Sequence, residues 1–123
     1  MATILFIDDE PLTLKLLSQA ARILGHQSLT ASGVAQAFSL VEAHRPDLVF
    51  TDINLGVERS LDFIDRMHQS PDTRQIPVIT LSASETAEVE AAARSRGAVA
   101  SLSKPIRLQT LLEVIREYTQ SQN

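Results

Sequence analysis

The chain has 123 residues, 44% of them apolar, and carries a formal charge of −4 with no long run of one sign. That length suits one compact domain, residues 1–123, with apolar material for one core. The acidic balance argues against direct nucleic-acid binding, which needs a basic footprint, and the absence of cysteine excludes disulfides and thiolate metal sites.

The first apolar run, Ile4-Leu5-Phe6-Ile7, is uninterrupted and predicts a strand buried on both faces, ending at Asp8-Asp9. A helix is expected from Glu10-Pro11, with Leu12, Leu16, Ala20 and Ile23 on its inner face and Gly25 as its stop. His26 to Ala31 alternates loosely and predicts an edge strand with Leu29 and Ala31 inward. The next helix buries Ala37, Phe38, Leu40 and Val41 and ends before Pro46. Leu48-Val49-Phe50 predicts the third strand, ending at Asp52, and a helix follows from Ser60 to Gln69 with Leu61, Ile64 and Met67 inward. Val78-Ile79-Thr80-Leu81 predicts the fourth strand, ending at Ser82. An alanine-rich helix from Glu85 to Arg96 stops at Gly97. Ala98 to Leu102 predicts the fifth strand, ending at Lys104-Pro105, and a last helix from Ile106 to Thr119 carries Leu108, Leu111, Leu112 and Ile115. The tail from Gln120 is expected to fray.

Five βα units of about 25 residues each predict an α/β fold: a doubly wound five-stranded parallel sheet, order 2-1-3-4-5, flavodoxin-like in topology. In such sheets ligands bind at the carboxyl ends of the strands, near the switch point. Asp8 and Asp9 close strand 1, Asp52 strand 3, Ser82 strand 4 and Lys104 strand 5. Three carboxylates in one crevice repel one another unless a cation binds or a carboxyl stays protonated. A hard oxygen-lined site open to water suits Mg²⁺. A lysine and a hydroxyl beside it would serve phosphoryl oxygens, and a carboxylate nucleophile would give an acyl phosphate.

The ordered set Ile7-Asp8-Asp9-Glu10-Pro11, Pro46 to Asn54, Pro77 to Ala83 and Lys104-Pro105 resembles response-regulator receiver domains, over nearly the whole chain. The resemblance implies Asp52 as phosphoacceptor, Asp9 as direct Mg²⁺ ligand, Asp8 supporting the metal through water, and the main-chain carbonyl of Asn54 as a further ligand. It implies that Ser82 and Lys104 each bind a phosphoryl oxygen and that the Lys104-Pro105 bond is cis. It also implies a cytoplasmic two-component signalling protein. The phosphodonor would be a sensor histidine kinase or a phosphotransfer protein. The output would be contact with a downstream protein, without membrane or nucleic-acid binding.

This chain departs from the family pattern at several positions. Leu55-Gly56 stands where Met-Pro or a similar pair is usual, and Ser60 where a glycine is usual. Ser101 occupies the fifth-strand position of an aromatic that moves inward on activation, and Val99-Ala100 replaces an acidic pair.

Each group also has a plainer explanation when taken alone. Asp8, Asp9 and Glu10 would cap a helix, and Ser82 to Glu85 matches a capping box. Asp52 would start a turn, and Lys104 would be a solvated lysine. None explains why all of them end strands together. His26, His44 and His68 are expected at the surface, without metal-ligand spacing, and Tyr118 in packing on the last helix. Ser101 favours an alternative, a receiver-fold interaction module that signals without phosphorylation. A phosphatase of the haloacid dehalogenase type is disfavoured: Asp52-Ile53-Asn54 is similar to its Asp-x-Asp motif, but the second Asp is Asn54 and the motif lies on the wrong strand. A flavodoxin is disfavoured because no Ser/Thr/Gly-rich loop follows strand 1, so no enzymatic turnover is expected.

Overall fold

A computed structural model describes residues 1–55, 57–83 and 87–120, the side chains of Asn54, Val57 and Glu58 excepted. Five strands, β1 (Thr3–Ile7), β2 (Gln27–Ala31), β3 (Leu48–Asp52), β4 (Val78–Ser82) and β5 (Ala100–Ser103), form one parallel sheet in the order β2-β1-β3-β4-β5. The helices are α1 (Pro11–Ile23), α2 (Val34–His44), α3 (Val57–Gln69), α4 (Ala87–Ser95) and α5 (Leu108–Gln120). A 3-10 turn, Ile53–Leu55, links β3 to α3.

Alternation along the strands divides the core in two. Ile4, Phe6, Leu48, Phe50, Ile79 and Leu81 pack against α1 and α5. Leu5, Ile7, Val49 and Val78 pack against α2, α3 and α4. Both faces of β1, β3 and β4 are therefore covered, which is why those strands read as continuous apolar runs. Phe6 and Phe50, paired in register, stack at 5.4 Å between ring centroids on the α1/α5 side. The edge strand β2 pairs with β1 and buries Ala31 fully and Leu29 in part.

Several expectations need correction. The inner face of α1 is Leu17, Ala20 and Ala21, with Leu14 and Leu24 packed beside them; Leu12 and Ile23 are 76% and 61% exposed. Two apolar stripes run side by side on this helix, and the one with the small alanines faces the sheet. Helix α3 begins at Val57 rather than Ser60, and its core includes Phe63, edge-on to Phe38 at 5.0 Å. Strand β5 begins at Ala100 rather than Ala98, because Ala98 N–H closes the end of α4 on Ala93. On α5, Leu111 and Ile115 are buried but Leu108 is exposed.

His26 is not simply a surface residue. Its Nδ1 accepts the Ala2 N–H at 3.0 Å and so ties the start of β1 to the residue before β2. Burial holds the His26 pKa below its ordinary value, helped by the positive charge of the chain's amino terminus and opposed by Asp47. Gly97, at φ +123°, turns the chain out of α4. A Cβ there would lie 2.9 Å from Nδ1 of the exposed His68 and would displace that ring, but it is the positive φ that calls for glycine at this turn. The proposed capping-box glutamate, Glu85, and the tail from residue 121 lie outside the described residues.

Candidate acidic site at the carboxyl edge of the sheet

The strand ends place the predicted groups at one edge of the sheet. Asp8 follows the last residue of β1, and its main-chain N–H donates to Ala31 O on β2 at 3.0 Å. Its side chain is fully buried, and Oδ1 accepts the Glu10 N–H at 2.9 Å, which fixes the turn into α1. Glu10 is the N-cap of α1 and makes no side-chain capping bond. Asp52, also buried, is the last residue of β3 and lies opposite Leu81 of β4. Asp9 is exposed.

Carboxylate oxygens of Asp8, Asp9 and Asp52 all lie within 4.8 Å of one another. Two of the three carboxylates are buried and one opens to solvent, a hard-oxygen set with water access that fits a divalent cation such as Mg²⁺. Lys104 joins this cluster from across the sheet. Its main-chain N–H donates to Ser82 O at 2.8 Å, carrying the end of β5 onto the end of β4. Its ammonium then donates to Asp8 Oδ2 at 2.8 Å and to Asp52 Oδ2 at 3.2 Å. The side chain is only 18% exposed, so this is not a solvated lysine. Burial works to lower the Lys104 pKa, but the hydrogen bonds and charges of Asp8 and Asp52 outweigh it and leave that pKa raised. Three carboxyl groups thus share the cluster with one ammonium. The Lys104-Pro105 peptide bond is cis.

Ser82 ends β4, one residue beyond the position opposite Asp52. Its hydroxyl is buried and has no hydrogen-bond partner among the described residues, as is also true of Thr51. Such an orphan costs roughly 1–3 kcal/mol. The structure thus brings Asp8, Asp9, Asp52 and Lys104 together, with the Ser82 hydroxyl not bonded to any of them. Asn54 lies in the 3-10 turn after Asp52, and its side chain is outside the described set. One contact escaped the sequence reading: Ser60 Oγ donates to the main-chain carbonyl of Asp52 at 3.0 Å. The sequence signals were a polar residue at the head of an amphipathic helix and a serine where the family usually has glycine.

A doubly wound parallel sheet with an acidic cluster and a lysine at the carboxyl ends of its central strands is the arrangement expected of a receiver-type signalling domain. Residues 4–116 match the model of the response regulator receiver domain, and the chain belongs to that family. It is 28% identical over 116 residues to the polar-differentiation response regulator DivK of Brucella anthropi, spanning 94% of each chain. A response regulator from Thermotoga maritima superposes with a TM-score of 0.88 at 27% identity, covering 98% of both chains. The chemotaxis response regulator CheY4 of Vibrio cholerae superposes with a TM-score of 0.88 at 23% identity, over 96% of this chain and 98% of that one, a likeness of fold alone. No helix among the described residues is long and apolar enough to cross a membrane.

Proposed function

We propose that residues 1–123 are one phosphorylatable receiver unit of a two-component system, with Asp52 as the phosphoacceptor. The carrying observation is the buried Asp52 carboxylate held between the acidic partners Asp8 and Asp9 and the Lys104 ammonium. In the transfer, an Asp52 carboxylate oxygen attacks the phosphorus of a phosphohistidine on a kinase or phosphotransfer protein. The P–N bond breaks, the imidazole leaves, and an acyl phosphate forms on Asp52. Asp8, Asp9, Asp52 and the main-chain carbonyl of Asn54 would hold Mg²⁺, which when bound neutralises charge on the carboxylates and the phosphoryl oxygens. Lys104 would turn from the carboxylates to a phosphoryl oxygen. Ser82, buried and without a partner, would donate its hydroxyl to another and gain a charge-assisted bond it lacks at rest. That bond draws Ser82 and the start of α4 toward Asp52 and changes the face offered to a downstream protein. The domain acts in the cytoplasm as a switch rather than as an enzyme that turns over a substrate.

Ser101, half-buried in β5, favours a second reading, an interaction module that works without phosphorylation. Incubation with Mg²⁺ and a small phosphodonor, followed by intact mass, separates the two. One phosphoryl adduct is expected on wild type and none on Asp52→Asn. An adduct that persists in the variant removes Asp52 from the role, and no adduct on wild type favours the second reading.

A further inference from the structure

Asp52 is the last residue of β3 and pairs in register with Leu81 of β4. Directly after it the strand gives way to the 3-10 turn. A carboxylate at a strand end inherits any looseness of the main chain that carries it.

Ser60 supplies a restraint at this point. It sits in the first turn of α3, fully buried, and its Oγ donates to the Asp52 carbonyl oxygen at 3.0 Å across eight residues. A serine in a helix commonly bonds a carbonyl three or four residues back in the same helix. Ser60 instead reaches out of its helix to the last residue of the strand. The contact does not touch the Asp52 carboxylate, which Lys104 engages separately through Oδ2. The Ser60 hydroxyl on α3 thus acts on the main chain of Asp52, and the Lys104 ammonium acts on its carboxylate.

We propose that Ser60 is a positioning residue for phosphoryl transfer: its hydroxyl pins the main chain of Asp52 so that the carboxylate meets the donor phosphorus in line. This rests on the reading of Asp52 as phosphoacceptor. Transfer rates depend steeply on the geometry of approach, and a misplacement of about 1 Å costs on the order of a hundredfold. A glycine or alanine at position 60 cannot form the bond. The loss belongs to the rate constant, because neither the carboxylates nor the ammonium is removed.

The test follows phosphorylation of the full chain by phosphoramidate at saturating Mg²⁺, for wild type, Ser60→Ala and Ile115→Val. Ile115 lies in the core on the α1/α5 side and serves as a control for lost stability alone. For Ser60→Ala, the rate constant at saturating donor is expected to fall by roughly three- to tenfold, a part of what a full misplacement would cost. The donor concentration for half-saturation and the Mg²⁺ midpoint should stay within about twofold. The Asp52 carbonyl-carbon resonance should shift in the same variant, and Ile115→Val should keep the wild-type rate. A wild-type rate constant in Ser60→Ala, or an equal loss in Ile115→Val, overturns the proposal. If wild type itself takes no phosphoryl group, the reading of Asp52 fails first and this inference falls with it.

Discussion

Lys104 Nζ lies 2.8 Å from Asp8 Oδ2, closer than the 3.2 Å that separates it from Asp52 Oδ2. The lysine thus leans toward the carboxylate that is not the proposed acceptor. Both of its partners are buried, and removing a counter-ion strands them. Lys104→Met is expected to destabilise the metal-free protein by about 2–4 kcal/mol, somewhat less than for a fully buried pair because the ammonium is partly solvated. Mg²⁺ should recover much of the loss. Urea denaturation with and without Mg²⁺ measures both; an unchanged midpoint in the metal-free variant would contradict the ion pair's role.

The same group sets an alkaline limit. Its folded pKa is raised above the ordinary lysine value of 10.5, so its stabilisation is complete below 10.5 and is lost as pH rises through the raised folded value. Wild type should lose stability through that window, and the difference from Lys104→Met should shrink there. Denaturation midpoints between pH 9 and 12 are the measurement. A difference that stays constant across the range would show that Lys104 does not titrate this way.

Mg²⁺ should raise the melting temperature, because on the proposed function it would bind the folded acidic cluster and not the unfolded chain. At free metal about a hundred times Kd the gain is roughly 2.7 kcal/mol. Asp9 is the exposed member of the cluster, so Asp9→Asn should blunt the Mg²⁺ response while slightly raising metal-free stability. Thermal melts across a Mg²⁺ series decide the point. Equal responses in wild type and variant would remove Asp9 from the metal site.

His26 gives an acid limit of opposite sign. The neutral ring accepts the Ala2 N–H, and burial lowers its pKa. A histidine with a lowered folded pKa stabilises fully above the ordinary value of 6.5 and loses that contribution as pH falls from there through the folded value. His26→Gln should therefore flatten the stability profile below pH 6.5 relative to wild type. Matching slopes in the two proteins, measured by urea denaturation between pH 5 and 8, would refute it.

Ser101 is half-buried and paired in register with Thr80, where receivers usually carry a mobile aromatic. Its side chain is too small to swing between an outer and an inner position. A phosphoryl mimic should move the amide signals of Ser82, Ala83 and the start of α4 more than that of Ser101. Because Val99 and Ala100 carry no charge, no dimer salt-bridged at these positions is expected in sedimentation. Shifts centred on Ser101, or a tight mimic-induced dimer broken by mutating Glu88, would show the output to be of the usual kind.

Much of this architecture was legible because β1, β3 and β4 are buried on both faces and so announce themselves as unbroken apolar runs. The grouping of the candidate site's residues was legible because Asp8 follows β1, Asp52 and Ser82 end β3 and β4, and Lys104 follows β5. The inner face of α1 was not, because two apolar stripes compete there and only packing against the sheet and α5 chooses between them. The start of α3 was missed because Val57-Glu58 carries no capping signal before Ser60. Nothing in the local sequence distinguishes a serine that bonds its own helix from one that reaches the preceding strand, and the Ser60–Asp52 contact arises only from the way α3 packs against the end of β3. His26 was misjudged for a similar reason: its partner is a main-chain amide 24 residues away.

The lysine of the acidic site comes late in the chain, 96 residues after Asp8 and 52 after Asp52. A nascent polypeptide that has only its first three strands outside the ribosome carries both inward carboxylates and none of their ammonium partner. Its central strands would meet with unbalanced charge at their ends, and closing the distance to the missing cation must wait for the last strand. Synthesis order therefore favours a sheet that locks together late and as a whole over one that settles strand by strand.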